Sequence, residues 1–328
     1  MRRRDFIALI SGVAGNWPLA VRAQQSALPI VALIISGSAD NSATRLAAFR
    51  KGLNEAGYIE GQNVTVEYHS LEGHYERLTA LMADLARQRL ALIATPASQV
   101  ATLAAKAATA TIPIVFGVGE DPVKLGLVEN LARPGGNATG VNFFVAEIAA
   151  KRLRLLHDLV PKAVRIAVLV NPANATIAES AIREAQEAAP AIGLQIQIFN
   201  ATTAGEIDAA FATFARERLD ALFVAPDGFF YNRRGQFATL TAANKIPAVY
   251  WDRDIVAAGG LMSYGTDLTA MFHQVGTYTG KILKGAKPAD LPVLQTTKFE
   301  FAINLQTARA LGIEVPLNLL SIADEVIE

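Results

Sequence analysis

RLALIATPAS at residues 89–98 and RLDALFVAPDG at residues 218–228 follow one plan. Each reads as a basic helix end, a short apolar run, then Pro with small polar residues. The echo extends outward on both sides. PIVALIISGSADN (29–41) has its counterpart in VRIAVLVNPANAT (164–176), a β-branched apolar run that ends in Ser, Asn and Gly or Pro. A helical pattern follows each, at 43–58 and 177–194, with Gly57 and Gly193 as helix stops. Then come the strand-like NVTVEYHS (63–70) and LQIQIFNA (194–201), second helices at 75–87 and 204–217, and the two opening phrases. After a further helix the halves agree again in TIPIVFGVGEDP (111–122) and KIPAVYWDRDI (245–255). Pro113 and Pro247 fall where a strand tolerates proline, at its first residue.

Short apolar strands alternating with amphipathic helices predict parallel sheets covered by helices on both faces. Two such runs predict two doubly wound α/β lobes built on a duplicated plan. A chain of 328 residues fits that division, because single cores stop growing before about 250–300 residues.

Composition narrows the function classes. The chain is 52% hydrophobic and 18% charged, with 30 Lys and Arg against 30 Asp and Glu. Such a balance creates no field for nucleic acid or an anionic membrane. Cysteine is absent, which excludes disulfides, thiolate metal sites, Cys nucleophiles and lipid attachment through an N-terminal Cys. The four histidines, His69, His74, His157 and His273, lack helical metal-ligand spacing, so neither a metal nor a cofactor is expected.

The N-terminus is a different kind of sequence. Arg2, Arg3 and Arg4 precede an uncharged run from Phe6 to Val21, and small residues lead to Ala23. This is the pattern of an export signal occupying residues 1–23, cleaved near Ala23 to leave a soluble periplasmic chain. Arg3-Arg4-Asp5-Phe6-Ile7 fits the twin-arginine pattern, and an ordinary secretory signal with an incidental Arg pair fits as well.

In open parallel sheets, ligands bind outside the carboxyl ends of the strands. The loops concerned are 36–41, 95–99 and 117–121 in the first half, and 171–176, 225–230 and 251–254 in the second. If the two edges face each other, all six line one cleft. Ser36, Ser38, Thr95, Ala97 and Ser98 offer hydroxyls and a helix start, which suit a carboxylate. Plain helix capping explains them equally well. Asp227, on the opposite half, suits an ammonium group, with capping of the next helix as the alternative. Asp121 precedes Pro122 and reads as a helix start as much as a ligand contact. Asn171 and Asn174 join the candidates at the second-half loop, and Asn142 at the junction of the halves. Trp251 and Tyr264, with Tyr250, Phe229 and Phe230 nearby, offer an aromatic wall for a flat ligand.

An enzyme reading finds little support. GVGEDP begins as a dinucleotide fingerprint but lacks the third Gly, and no nucleophile elbow or phosphate-binding loop is present. Asp121, Asp227 and Asp252 could form a carboxylate pair across a cleft, yet nothing in the sequence positions them. We therefore expect no catalysis.

Several phrases resemble the substrate-binding proteins of ABC importers, in the family that includes tryptophan- and tyrosine-binding members. They are FRKGLNEAGYIEGQNV (49–64), IPIVFGVGEDPVKLGLVENLARPGGNATGV (112–141), AAGGLMSYGTDL (257–268) and GKILKGAKPADLPV (280–293). The resemblance spans about residues 28–328. It implies a type I periplasmic-binding-protein fold, with a three-strand hinge crossing near 141–144, 263–266 and 295–298. One lobe would comprise 28–142 plus 265–295, the other 143–264 plus 296–328. It also implies that Thr95, Ala97 and Ser98 meet a ligand carboxylate and Asp227 an α-amino group. The chain departs from that pattern at 228–231, Gly-Phe-Phe-Tyr, so the side-chain pocket is its own. The implied partners are a small aromatic amino acid or carboxylate and an inner-membrane permease, and the protein is expected to act as a monomer. A ligand-sensing extracytoplasmic subunit is the alternative role. A sugar-repressor-like regulator would need a DNA-binding headpiece where this chain has its export signal.

Overall fold

The structure, a computed structural model, describes residues 28–143, 146–296 and 298–328. The expected export signal and its cleavage point lie outside the described residues, as do Phe144 at the first expected crossover and Thr297 at the third.

Thirteen strands form two sheets among the described residues. The first half supplies β1 (Ile30–Ile35), β2 (Thr65–Ser70), β3 (Leu92–Thr95), β4 (Ile114–Val118) and β5 (Ala138–Asn142). The second supplies β6 (Arg165–Val170), β7 (Gln195–Asn200), β8 (Ala221–Val224), β9 (Ala248–Tyr250) and β10 (Met262–Thr266). After these come β11 (Leu294–Gln295), β12 (Phe299–Asn304) and β13 (Glu325–Ile327). The orders are β11-β5-β4-β3-β1-β2 and β13-β12-β10-β9-β8-β6-β7. All pairings are parallel except β10 with β12. The shared central order, third-first-second and eighth-sixth-seventh, is the duplication that the sequence repeats.

Why the strands read as unbroken apolar runs is visible in β1. Val31, Leu33 and Ile35 point into one hydrophobic cluster, while Ala32 and Ile34 point into another on the opposite face. In β6, Ile166, Val168 and Val170 face one cluster, and Ala167 and Leu169 the other. A sheet covered on both sides has no polar face to alternate with.

The covering helices of the first sheet are α1 (Ala43–Glu55), α2 (Leu78–Ala86) and α3 (Gln99–Ala108). The second sheet carries α4 (Ala146–Leu159), α5 (Ala175–Ala188), α6 (Ala204–Glu217), α7 (Gly228–Asn232), α8 (Arg234–Asn244) and α9 (Arg253–Ala257). α10 (Leu268–Leu283) then packs back on α1, and α11 (Leu305–Ala310) and α12 (Leu317–Ile322) follow β12. Starts are set chemically: a capping box closes α6, where Thr203 accepts from Glu206 N and Glu206 reaches back. Asp227, Asp252, Asp267 and Asn304 cap α7, α9, α10 and α11. The chain passes between the sheets after β5, after β10 and after β11.

The carboxyl edges of the two sheets face each other in contact. Asn232 Oδ1 accepts from Ser38 N at 3.1 Å and from Asn41 Nδ2 at 3.2 Å. Arg234 donates to Asn41 Oδ1 at 2.9 Å, and the Tyr231 hydroxyl to Asn41 O at 2.9 Å. The cleft between the lobes is therefore closed.

Candidate ligand-binding site

Between the lobes lies a cavity enclosing about 910 Å³ of non-atom space, its open mouth included. Of the residues expected from sequence, Ser36, Ala97, Asn174, Asp227 and Trp251 line it.

Asp227 is buried and follows β8, where it caps α7. Its Oδ1 accepts from Phe229 N at 2.9 Å, Phe230 N at 3.4 Å and Asn171 Nδ2 at 2.9 Å. Oδ2 accepts from Asn174 Nδ2 at 3.1 Å and from the Tyr75 hydroxyl at 2.9 Å. Burial pushes the carboxyl above its usual range, against the pull of these hydrogen bonds. Capping and ligand contact are alternatives from sequence; in the structure the side chain caps α7 and also lines the cavity. Five donors fill the lone pairs of a carboxylate. Only Tyr75 comes from the opposite lobe, so opening the cleft frees one position on Oδ2.

The first-lobe loop differs from expectation in how its hydroxyls are used. Thr95 is fully buried, with its Oγ1 2.8 Å from that of Thr102, and it does not line the cavity. Ser36 donates to Ser98 Oγ at 2.7 Å, which spends the Ser36 proton. Ala97 holds φ +55°, a left-handed conformation uncommon for a residue with a Cβ. This turn swings Pro96, Ala97 and the start of α3 toward the cavity. The polar side chain left unengaged there is Gln99, which sequence reasoning missed. It is buried and lines the cavity, and neither Oε1 nor Nε2 has a partner.

Four expected residues support the site from behind. Ser38 braces the lobe contact through its backbone N, Asn171 holds Asp227, and Asn142 donates to Glu120 O at 2.7 Å. Tyr264 stacks on Phe299 with ring centroids 5.9 Å apart, does not line the cavity, and accepts from Arg152 Nε through its carbonyl. Asp121 is exposed and spends Oδ1 on Val123 N at 2.8 Å within a turn; no helix starts there, and it does not line the cavity.

Of the aromatic residues expected from sequence, only Trp251 lines the cavity. Tyr250, Phe229 and Phe230 are core residues of the second lobe. The rings that line the cavity are Phe143, Tyr231, Trp251 and Phe272. Phe272 arrives on α10, from the far side of the second crossover, which no local sequence signal could announce.

Two arginines complete the lining, and both were missed. Arg45, on α1, pairs with buried Asp252 and lies 3.2 Å from Asp254 Oδ2. Its guanidinium sits 4.3 Å from the Tyr231 ring centroid. Burial disfavours its charge, yet the surrounding Asp252, Tyr231 and Asp254 hold it protonated above the usual range. Arg152, on α4, is buried, donates Nε to Tyr264 O at 2.9 Å and leaves Nη1 without a partner. A faint signal existed for both. Ile148, Arg152, Leu155, Leu156 and Leu159 are all on the buried stripe of α4, and Arg45 precedes Phe49 and Gly52 on that of α1.

Arg45 joins the lobes, so its loss should be seen in their geometry. Breaking a buried pair by removing one member costs about 3–5 kcal/mol. Arg45→Ala is therefore expected to shift the empty protein toward an open form with a larger radius of gyration in small-angle scattering. An unchanged radius would remove Arg45 from the closing contacts.

Among the described residues no cluster of His, Asp or Glu could hold a metal ion. No helix among them is long and apolar enough to cross a membrane.

The comparisons with known proteins agree with this architecture. Residues 30–327 match the family of ABC transporter substrate binding proteins. A tyrosine-binding protein of Clostridioides difficile (strain R20291) is 26% identical over 269 residues, covering 81% of this chain and 76% of its own. The ABC domain of a Streptococcus pneumonia protein in complex with L-Trp superposes with TM-score 0.81 at 25% identity, covering 92% of this chain and all of that one. A ligand-free, open substrate-binding protein with adhesive properties from Clostridium difficile shares the fold at TM-score 0.63 and 24% identity, covering 92% and 99%. The chain belongs to the ABC transporter substrate-binding protein family, with the two-lobed type I periplasmic-binding-protein fold.

Proposed function

We propose that this chain is an exported, periplasmic solute receptor of an ABC importer, acting as a monomer. It captures an aromatic amino acid or a close relative between its lobes and delivers it to the inner-membrane permease. The observation that carries this reading is the cavity's polarity. Asp227 sits beside Asn174, whose buried Oδ1 has no partner, and the two give an ammonium group adjacent acceptors. On opening, Oδ2 loses its Tyr75 donor, and a ligand ammonium takes that position. Phe143, Tyr231, Trp251 and Phe272 supply the faces against which an aromatic side chain packs. Relatives named for tyrosine binding and bound to L-Trp support the same class.

The test is direct. Native mass spectrometry of protein purified from its host identifies what it carries. Titration with L-tryptophan and L-tyrosine is expected to show saturable one-to-one binding by at least one. At about 100-fold excess over Kd, binding contributes about 2.7 kcal/mol, or roughly 5–10 °C in Tm. Deleting the gene should abolish uptake of the labelled amino acid. A retained neutral sugar, or unchanged uptake, would sink this reading.

A further inference from the structure

Arg152 poses a question that the cleft's architecture leaves open. A guanidinium carries five donors and is expensive to bury without acceptors. Here the side chain is 2% exposed, yet the one hydrogen bond it makes among the described residues goes to a neutral carbonyl, Tyr264 O. Nη1 is buried and unpartnered, and the side chain lines the cavity between the lobes. Arg45, the other cavity arginine, is already matched by Asp252 and Asp254. Arg152 has no such match.

We propose that Arg152 is the ligand's anion anchor, its guanidinium receiving a carboxylate from the hinge side of the cleft. This deepens the amino-acid reading above and rests on it for the ligand class. The surroundings favour it in three ways. The Tyr264 carbonyl fixes Nε, which sets the plane of the fork and leaves the Nη edge for a planar acid. The Phe223 ring, 5.4 Å from the guanidinium carbon, covers one face without neutralising it. The acidic group that acts on Arg152 through space is Glu184 on α5, which is hydrogen-bonded to Ser180 and makes no hydrogen bond to the guanidinium. Burial raises the Glu184 carboxyl to about 7, so at neutral pH it is a partial counter-charge only. Burial likewise lowers Arg152 to about 10, and it stays protonated. No carboxylate is hydrogen-bonded to Arg152 among the described residues, and an incoming carboxylate supplies the partner that Nη1 lacks.

The arrangement changes the expected division between lobes. Thr95 Oγ1 pairs with Thr102 and the Ser36 hydroxyl donates to Ser98, whereas Arg152 Nη1 and Gln99 Nε2 have no partner. Acid and amine ends are then held mainly from the second lobe, and closure of the first lobe brings Gln99 and Phe272 onto the bound ligand.

The test uses the mature full chain, its Arg152→Met and Arg152→Lys variants, and calorimetry. The probes are the proteinogenic amino acids, with the matching amines (tryptamine, tyramine) and acids (indole-3-propionate, 3-phenylpropionate). A charge-assisted hydrogen bond implies a loss of about 10- to 100-fold for every carboxylate probe in Arg152→Met, with partial recovery in Arg152→Lys. Met fills the same volume without a buried charge, so the empty variant should melt at or above the wild-type temperature. A structural role would lower it. Wild type binding acids that lack the amine, with that binding lost in Arg152→Met, upholds the anchor while refuting the amino-acid class. Three results overturn the proposal: equal affinity of wild type and Arg152→Met for carboxylates, tryptamine or tyramine binding as tightly as the matching amino acid, or a wild type that binds no carboxylate.

Discussion

Asp227→Ala is expected to reduce affinity for L-tryptophan or L-tyrosine by about 30- to several-thousand-fold. Truncating one member of a desolvated, hydrogen-bonded charge pair typically costs about 2–5 kcal/mol. The structure adds a second consequence. The same carboxylate caps α7 and accepts from Asn171, Asn174 and Tyr75. Removing a cap costs roughly 0.5–2 kcal/mol, and stranding a buried amide about 1–3 kcal/mol. The empty variant should therefore melt roughly 5–10 °C below wild type. From sequence alone, with Asp227 as a pure ligand contact, no such drop is expected; the hydrogen-bond network is the reason for it. Asp227→Asn keeps a good cap but turns an amide toward other donors, so both losses should be intermediate. Calorimetry and thermal unfolding on the same samples check this. Wild-type affinity in Asp227→Ala would remove Asp227 from the ligand.

Gly276→Leu is expected to be the most damaging single change in the first lobe. α10 lies so close to α1 that a Cβ on Gly276 would stand 2.1 Å from Phe49 O. The contact is reciprocal, because a Cβ on Gly52 would stand 2.1 Å from His273 O. One turn on, a Cβ on Gly280 would meet Ala56 Cβ at 2.2 Å. Backbone cannot yield as a side-chain tip can, so the helices must separate. Overpacking costs about 1–3 kcal/mol for small additions, and more where backbone must move. Gly276→Ala should lower Tm by several degrees, and Gly276→Leu should leave little folded protein at 37 °C. Gly205→Ala is the control: it lies on α6, and a Cβ there meets nothing within 4 Å. A Gly276→Leu protein melting at the wild-type temperature would show that the helices part without cost. Since α10 begins two residues past β10, the milder Gly276→Ala should also weaken ligand binding through the hinge.

Much of the architecture was readable along the chain because its causes are local or periodic. Two-faced burial makes a strand read as an apolar run, and β1 and β6 show it residue by residue. The repeated order of strands and helices fixed two similar lobes. The rule that ligands meet carboxyl edges pointed to loops that border the cavity, where Ser36, Ala97, Asn174, Asp227 and Trp251 lie.

Other parts of the site depend on what lies across a gap. Thr95 and Ser98 read as free hydroxyls until Thr102 and Ser36 are brought against them. Phe229 and Phe230 stand next to the expected aromatic wall in sequence until the second-lobe core closes over them. The need for glycine at Gly276 and Gly280 arises only where α1 packs against α10.

The amino-acid sequence by itself determined the secondary elements, the duplicated plan and the loops that face the cleft, since side-chain periodicity and capping act over a few residues. The tertiary structure alone decided which polar atoms remain unpaired at the centre. Arg152 occupies an apolar-stripe position on α4 and reads locally as an interruption of the core. Its role as an unmatched charge appears only when the hinge strand β10, Glu184 on α5 and the opposite lobe are set around it, because electrostatic pairing depends on distance in space and not along the chain.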